Sequence, residues 1–107
     1  MATPDNVDVI TPEQAGTLHG LFLERVRRSS DKEAYRYFDA NLNGWVSLSW
    51  RQMFAEVARW QAALAKEGLQ KGDRVALMLR NCPQWVMFDQ AAMSLGLVTV
   101  PLYTVDR

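Results

Sequence analysis

Residues 71–103 hold the pattern that leaves this chain the fewest folds. After a Lys71-Gly-Asp turn, Arg74 to Leu79 forms a short apolar run, as expected of a strand buried on both faces. Pro83 suits the first turn of a helix, where a missing N–H costs nothing. From Pro83 to Leu95 the strongly polar positions are Gln84, Asp89, Gln90 and Ser94, so the helix is expected to be buried around most of its circumference. Gly96 supplies the left-handed residue that stops a helix. Leu97 to Val100 is β-branched and apolar, and Pro101 closes the run. A crossover between parallel strands needs about a dozen residues, and this segment has them. The reading is one βαβ unit, hence an α/β protein with at least two parallel strands.

The preceding residues supply a helix, a hairpin and a second helix. Met1 to Gly16 is polar, contains Pro4 and Pro12, and reads as an extended arm. Thr17 can cap a helix whose apolar stripe is Leu18, Leu21, Phe22 and Val26, and Ser29-Ser30-Asp31 ends it. Gly20 weakens that helix by about 1 kcal/mol relative to alanine. Ala34 to Phe38 and Trp45 to Leu48 read as paired strands, with Asn43-Gly44 favouring the positive φ values of a tight turn. Ser49 with Gln52 is a capping box. Met53, Phe54, Val57, Ala58, Leu64 and Ala65 give the following helix an apolar face with Trp60 at its margin, and Gly68 stops it.

Composition removes several function classes. The formal net charge of the 107 residues is zero, with 12 acidic and 12 basic side chains interspersed, which argues against capture of nucleic acid by a basic face. The single Cys82 excludes an internal disulfide and a cysteine-cluster metal site, and fits a reducing cytoplasm. Asp5, Asn6 and Asp8 interrupt any apolar signal core. Asp89, Gln90 and Ser94 break the stretch from Trp85 to Leu102 short of the roughly 20 residues that a membrane span needs. Four Trp, four Phe, three Tyr and five Met are more large apolar groups than a small two-layer domain covers, so self-association through exposed apolar surface is expected.

Few residues suggest chemistry. His19 stands alone, without a partner set for a metal or a nucleophile, and reads as structural. Cys82 precedes a helix N-terminus, where a thiol can be activated, but the same position suits a cap. The loop Arg80-Asn81-Cys82 lies beyond the carboxyl end of a parallel strand, where ligands of open α/β sheets bind, although Asn81 could simply cap the helix. Arg25, Arg27 and Arg28, flanked by Glu24 and Asp31, read as a solvated helix face. Neither a Rossmann nor a P-loop glycine pattern occurs, and neither a zinc-protease helix nor a nucleophile elbow. The residues assign no catalytic group, no metal site and no cofactor-binding residue.

The order of segments carries a resemblance. Thr-Leu-His-Gly-Leu-Phe (17–22), Trp45 to Trp50 running into Arg51-Gln-Met-Phe, and Gly-Leu-Gln-Lys-Gly-Asp-Arg-Val-Ala (68–76) are three of its parts. Asn81-Cys-Pro-Gln-Trp and the segment from Ala91 through Val-Pro-Leu-Tyr (100–103) complete it. Together they resemble the start of an adenylate-forming acyl-CoA synthetase, within the AMP-binding enzymes, and are most similar to the long-chain fatty acyl-CoA synthetases. The resemblance implies that 17–107 is an N-terminal portion of the large domain of such an enzyme, with 1–16 as an arm. It implies a ligase that joins a carboxylate to MgATP as an acyl-adenylate and then makes a CoA thioester. Fatty acid, ATP and CoA would be the partners of the longer enzyme, in the cytoplasm or peripherally at a membrane. The phosphate loop, metal-binding acid, ribose-binding aspartate and catalytic lysine of that family match no position here. The 107-residue chain alone is therefore expected to be inactive and to bind no cofactor tightly. Two other readings stand beside it: a stand-alone α/β interaction module, and a fragment of a different acyl- or aryl-adenylating enzyme.

Overall fold

The computed structural model describes residues 8–103. The element order is α1 (Pro12–Ala15), α2 (Leu18–Ser29), β1 (Glu33–Asp39), β2 (Gly44–Ser49), α3 (Trp50–Ala65), β3 (Arg74–Leu77), α4 (Pro83–Ser94) and β4 (Val98–Pro101). The expected sequence of helix, hairpin, helix and βαβ unit is present, with one addition. Residues 1–7 of the expected arm lie outside the described residues, and in the remainder the chain forms the single turn α1 instead of running extended. Thr11 accepts from the Gln14 amide and the Gln14 side chain accepts from the Thr11 amide, with Pro12 at the first helical position. Thr-Pro-Glu-Gln is thus a legible capping box that the two prolines obscured.

Side-chain caps start α2 and α3, and a glycine ends α4. Thr17 accepts from the Gly20 amide at the start of α2. Ser49 and Gln52 form the expected reciprocal box at the start of α3. At the end of α4, Gly96 adopts φ +72°, its amide donates to the Met93 carbonyl, and the Leu97 amide donates to Ala92. That pair of bonds is a Schellman ending.

The hairpin departs from its expected turn. Its loop runs from Ala40 to Asn43, and only Asn43 takes a positive φ, while Gly44 is already the first residue of β2. The Asp39 carboxylate supplies the missing turn chemistry by accepting from the amides of Asn41 and Leu42. The strands pair antiparallel from Tyr35–Leu48 to Asp39–Gly44, with an irregularity between Glu33 and Tyr35.

Helices α2, α3 and α4 enclose one small core. Phe22, Met53, Val57, Met87 and Ala91 are its buried members, and Val26, Ala34, Tyr35, Leu48, Trp50, Leu64 and Val86 pack around them. The Trp50 ring meets both Phe22 and Tyr35 edge-on, which ties the hairpin to α2. The expected apolar stripes are only partly used. Leu18, Leu21, Phe54, Ala58 and Ala65 are exposed.

The βαβ unit is confirmed. Strands β3 and β4 are parallel, in register from Arg74–Val98 to Leu77–Pro101; β3 stops at Leu77, short of the expected Leu79, and β4 is displaced one residue along its apolar run. Leu77 and Leu97 are buried on the side of the sheet that faces α4. Among the described residues, no helix packs on the other side.

Candidate functional site

The loop between β3 and α4 is the only place where the sequence suggested a ligand, and the structure sets it beside a cleft. Tyr35 to Asn41 and Trp45 of the hairpin form one wall, and Arg80 to Gln84 with Val86 form the other, around an open volume of about 850 Å³. A second cleft of about 540 Å³ lies on the other side of the same loop, between Trp85 and the chain leaving β4 at Leu102 and Tyr103. The pair brackets the carboxyl ends of both parallel strands, the position that topology favours for ligands.

Cys82, not Asn81, is the N-cap of α4. It is extended, with φ −156° and ψ 163°, and no side chain bonds the first helical amides. The capping role considered for Asn81 is therefore absent, and Asn81 lies exposed on the cleft wall. The first turn instead closes through the Trp85 amide donating to the Cys82 carbonyl, and Pro83 has no amide to satisfy. Pro83 is buried and lines the cleft.

This arrangement offers binding surface and no catalytic pair. Cys82 lines the cleft, but His19 does not: its Nδ1 donates to Gln90 Oε1 at 3.0 Å, and its ring stacks on Phe22. His19 thus links α2 to Gln90 of α4. Burial pushes the Tyr35 phenol up, so it stays protonated on the cleft wall. Arg36 shares that wall and is held by Glu33, whose carboxyl falls to about 2 because Arg36 and Ser47 both donate to it. Among the described residues, no group of three His, Cys, Asp or Glu could hold a metal ion, and no helix is long and apolar enough to cross a membrane.

The arginine cluster is more structural than its flanking acids implied. Arg25 and Arg28 are partly buried and both donate to the Asp8 carboxylate, while Arg25 also reaches the Asp8 carbonyl and Arg28 the Val9 carbonyl. Arg27 and Arg28 converge on Glu24, whose carboxyl is held down at about 2. The cluster fastens residues 8 and 9 to α2. No sequence periodicity links Asp8 to Arg28, so only the folded chain reveals this clamp.

Gly20 is the other position that the sequence undervalued. A Cβ placed there would lie 1.9 Å from the Ala15 carbonyl oxygen, so the glycine is what lets α1 rest on α2.

Comparison with known proteins gives one consistent answer. The family model for AMP-binding enzymes matches residues 22–105. The long-chain-fatty-acid–CoA ligase of Bacillus subtilis is 32% identical over 104 residues, which is 94% of this chain and 18% of that protein. Fatty acyl-CoA synthetase A of Dictyostelium discoideum is 41% identical over 65 residues, 61% of this chain and 10% of that one. Among solved structures, the Mycobacterium tuberculosis fatty acyl CoA synthetase superposes with a TM-score of 0.70 at 28% identity, over 83% of this chain and 17% of its own. The chain thus spans less than a fifth of the length of these relatives.

Proposed function

The chain belongs to the AMP-binding enzyme family, and on that premise we propose that it is an N-terminal segment of an ATP-dependent fatty acid–CoA ligase. The observation that carries this reading is the similarity to a long-chain-fatty-acid–CoA ligase across 94% of the chain. In the proposed reaction a fatty-acid carboxylate attacks the α-phosphorus of MgATP, expelling pyrophosphate and leaving an acyl-adenylate. The CoA thiolate then attacks the acyl carbon and AMP departs. Adenylation turns a carboxylate oxygen, a poor leaving group, into a phosphate ester that leaves readily, and both steps need cationic stabilisation of phosphate charge.

Within that reaction residues 8–103 are scaffold. No donor set among them suits the metal of MgATP. The one candidate nucleophile, Cys82, has no histidine on its cleft, and Asp39 on the opposite wall accepts from the Asn41 and Leu42 amides. What the segment contributes is the rigid βαβ unit, which fixes the carboxyl ends of β3 and β4. By itself the chain is inactive in this reading. A cytoplasmic location, with peripheral placement at a membrane that supplies the acid, goes with it.

The test is a chimera in which this chain replaces the matching 104-residue segment of the Bacillus ligase. Palmitoyl-CoA formation by the chimera, absent when the segment is deleted, is the expected result. A folded, soluble chimera without activity would contradict the proposal. A second reading, a stand-alone interaction module, is favoured by the exposed apolar residues Met78, Val98, Val100 and Leu102 on the β3–β4 sheet.

A further inference from the structure

We propose that residues 8–16 are a strap held on α2 by a charge latch, Asp8 against Arg25 and Arg28, and that the strap opens as one unit while the core stays folded. The device is independent of the ligase reaction proposed above.

The strap runs antiparallel to α2. Its Ala15 carbonyl lies over Gly20, near the start of that helix, and Asp8 meets Arg25 and Arg28 near its end. Little apolar surface is covered between these two points. Ile10 and Ala15 are half-buried, and the other residues from Asp8 to Gly16 are exposed. Helix α1 has no buried residue, and a single helical turn does not persist alone. Apolar burial and helix propensity therefore contribute little, and the charged contact is what holds the segment in place.

The latch resembles a fixed receptor with a mobile plug. Both guanidiniums are positioned from within α2: Ser29 Oγ accepts from Arg25 Nη1 at 3.1 Å, and Glu24 Oε1 accepts from Arg28 Nε at 2.8 Å. The arginine side chains are 24% and 18% exposed, and Ser29 is buried. Receptor groups held in this way lose little freedom when the carboxylate arrives. The Asp8 carboxylate accepts from Arg25 at 3.1 Å and from Arg28 at 2.6 Å. The Asp8 carbonyl accepts from Arg25 at 2.6 Å and the Val9 carbonyl from Arg28 at 3.2 Å. Bonds in which both partners are ionised are about twice as strong as neutral ones. Opening breaks them, frees Arg25, and withdraws Ile10 from the pocket of about 320 Å³ that it lines with Leu21, Phe22, Tyr35 and Trp50. The opened strap thus leaves an apolar pocket with a cation at its edge.

Hydrogen exchange of the 107-residue chain with and without Asp8→Asn tests the proposal. That substitution keeps the size of the side chain and removes its charge, and circular dichroism reports that the variant is folded. The amides of Ala15 and Gly16 donate to the Thr11 and Pro12 carbonyls and to no latch residue. They are nevertheless expected to exchange about fivefold faster or more in the variant. The Leu97 amide, which donates to Ala92 at the far end of α4, is expected to keep its rate. Raising salt from about 0.05 M to about 1 M shortens the screening length to roughly 3 Å. It should therefore accelerate Ala15 and Gly16 relative to Leu97 in the native chain and not in Asp8→Asn. Unchanged protection at Ala15 and Gly16 in the variant would overturn the latch, and an equal salt response in both chains would overturn its electrostatic basis. Equal acceleration at Leu97 would overturn the independent opening of the strap.

Discussion

Replacing Gly20 with alanine sets two effects of known direction against each other. Alanine is the better helix former by about 1 kcal/mol, so α2 taken alone would gain. The new Cβ, however, would meet the Ala15 carbonyl oxygen at 1.9 Å, where ordinary contact begins near 3.4 Å, so α1 must retreat by about 1.5 Å. Helix α1 contains no buried residue, and its single turn cannot persist alone. The cheapest response is for α1 to leave α2 and unfold, while the core around Met53 stays intact. The expected outcome is therefore split. Amide exchange at Ala15 and Gly16, which donate to Thr11 and Pro12, accelerates by about tenfold or more, because their local structure has opened. Global stability in urea changes by no more than about 1 kcal/mol, and in the stabilising direction if α1 contributes nothing to the core. Unchanged protection at Ala15 and Gly16 would refute the steric argument. A global loss above about 2 kcal/mol would show that α1 is part of the cooperative unit.

Other consequences concern the core and the ion pairs. Met53 is fully buried at the junction of α2, α3 and α4, so Met53→Ala is expected to cost about 3 kcal/mol, much of the stability of a domain this small, and Met53→Leu less than about 1.5; urea midpoints at constant m-value measure both. Glu24 and Glu33 are held near 2, below the usual glutamate value of 4.5, first by hydrogen bonds from Arg27 and Arg36 respectively. Groups depressed in this way add stability that is fully present above about pH 5 and is lost as pH falls through about 2. Thermal scans from pH 6 to pH 2 should show that fall, and Glu24→Gln should make it shallower; an unchanged acid limb in that variant would show that Glu24 does not contribute.

Local signals were legible where one short segment decides the outcome. Thr17, Ser49 and Gly96 bound their helices as their chemistry requires, whereas α3 already ends at Ala65 with Lys66 as its C-cap, ahead of the expected stop at Gly68; the apolar runs on either side of Pro83–Leu95 identified the parallel pair. The hairpin was located correctly, but its turn rests on Asp39 accepting two amides, a side-chain contribution that Asn43-Gly44 overshadowed. Features that need distant residues were not legible. The clamp of Asp8 on Arg25 and Arg28 spans about five helical turns of sequence. The contact at Gly20 depends on a helix that two prolines disguised. Exposure of Leu18, Leu21 and Phe54 is set by what packs on each helix, which helical periodicity does not report. For the candidate site, the sequence located the loop at Arg80–Cys82, whereas the opposing wall from Tyr35 to Asn41 became visible only in the fold.

The central claim is that this segment carries the family's scaffold and none of its chemistry. ATP–pyrophosphate exchange measured on the purified 107-residue chain with palmitate and magnesium tests it most directly. The account predicts exchange at the level of a protein-free control. Exchange above that control, dependent on the fatty acid and lost on heat denaturation, would place catalytic groups within the chain and contradict it.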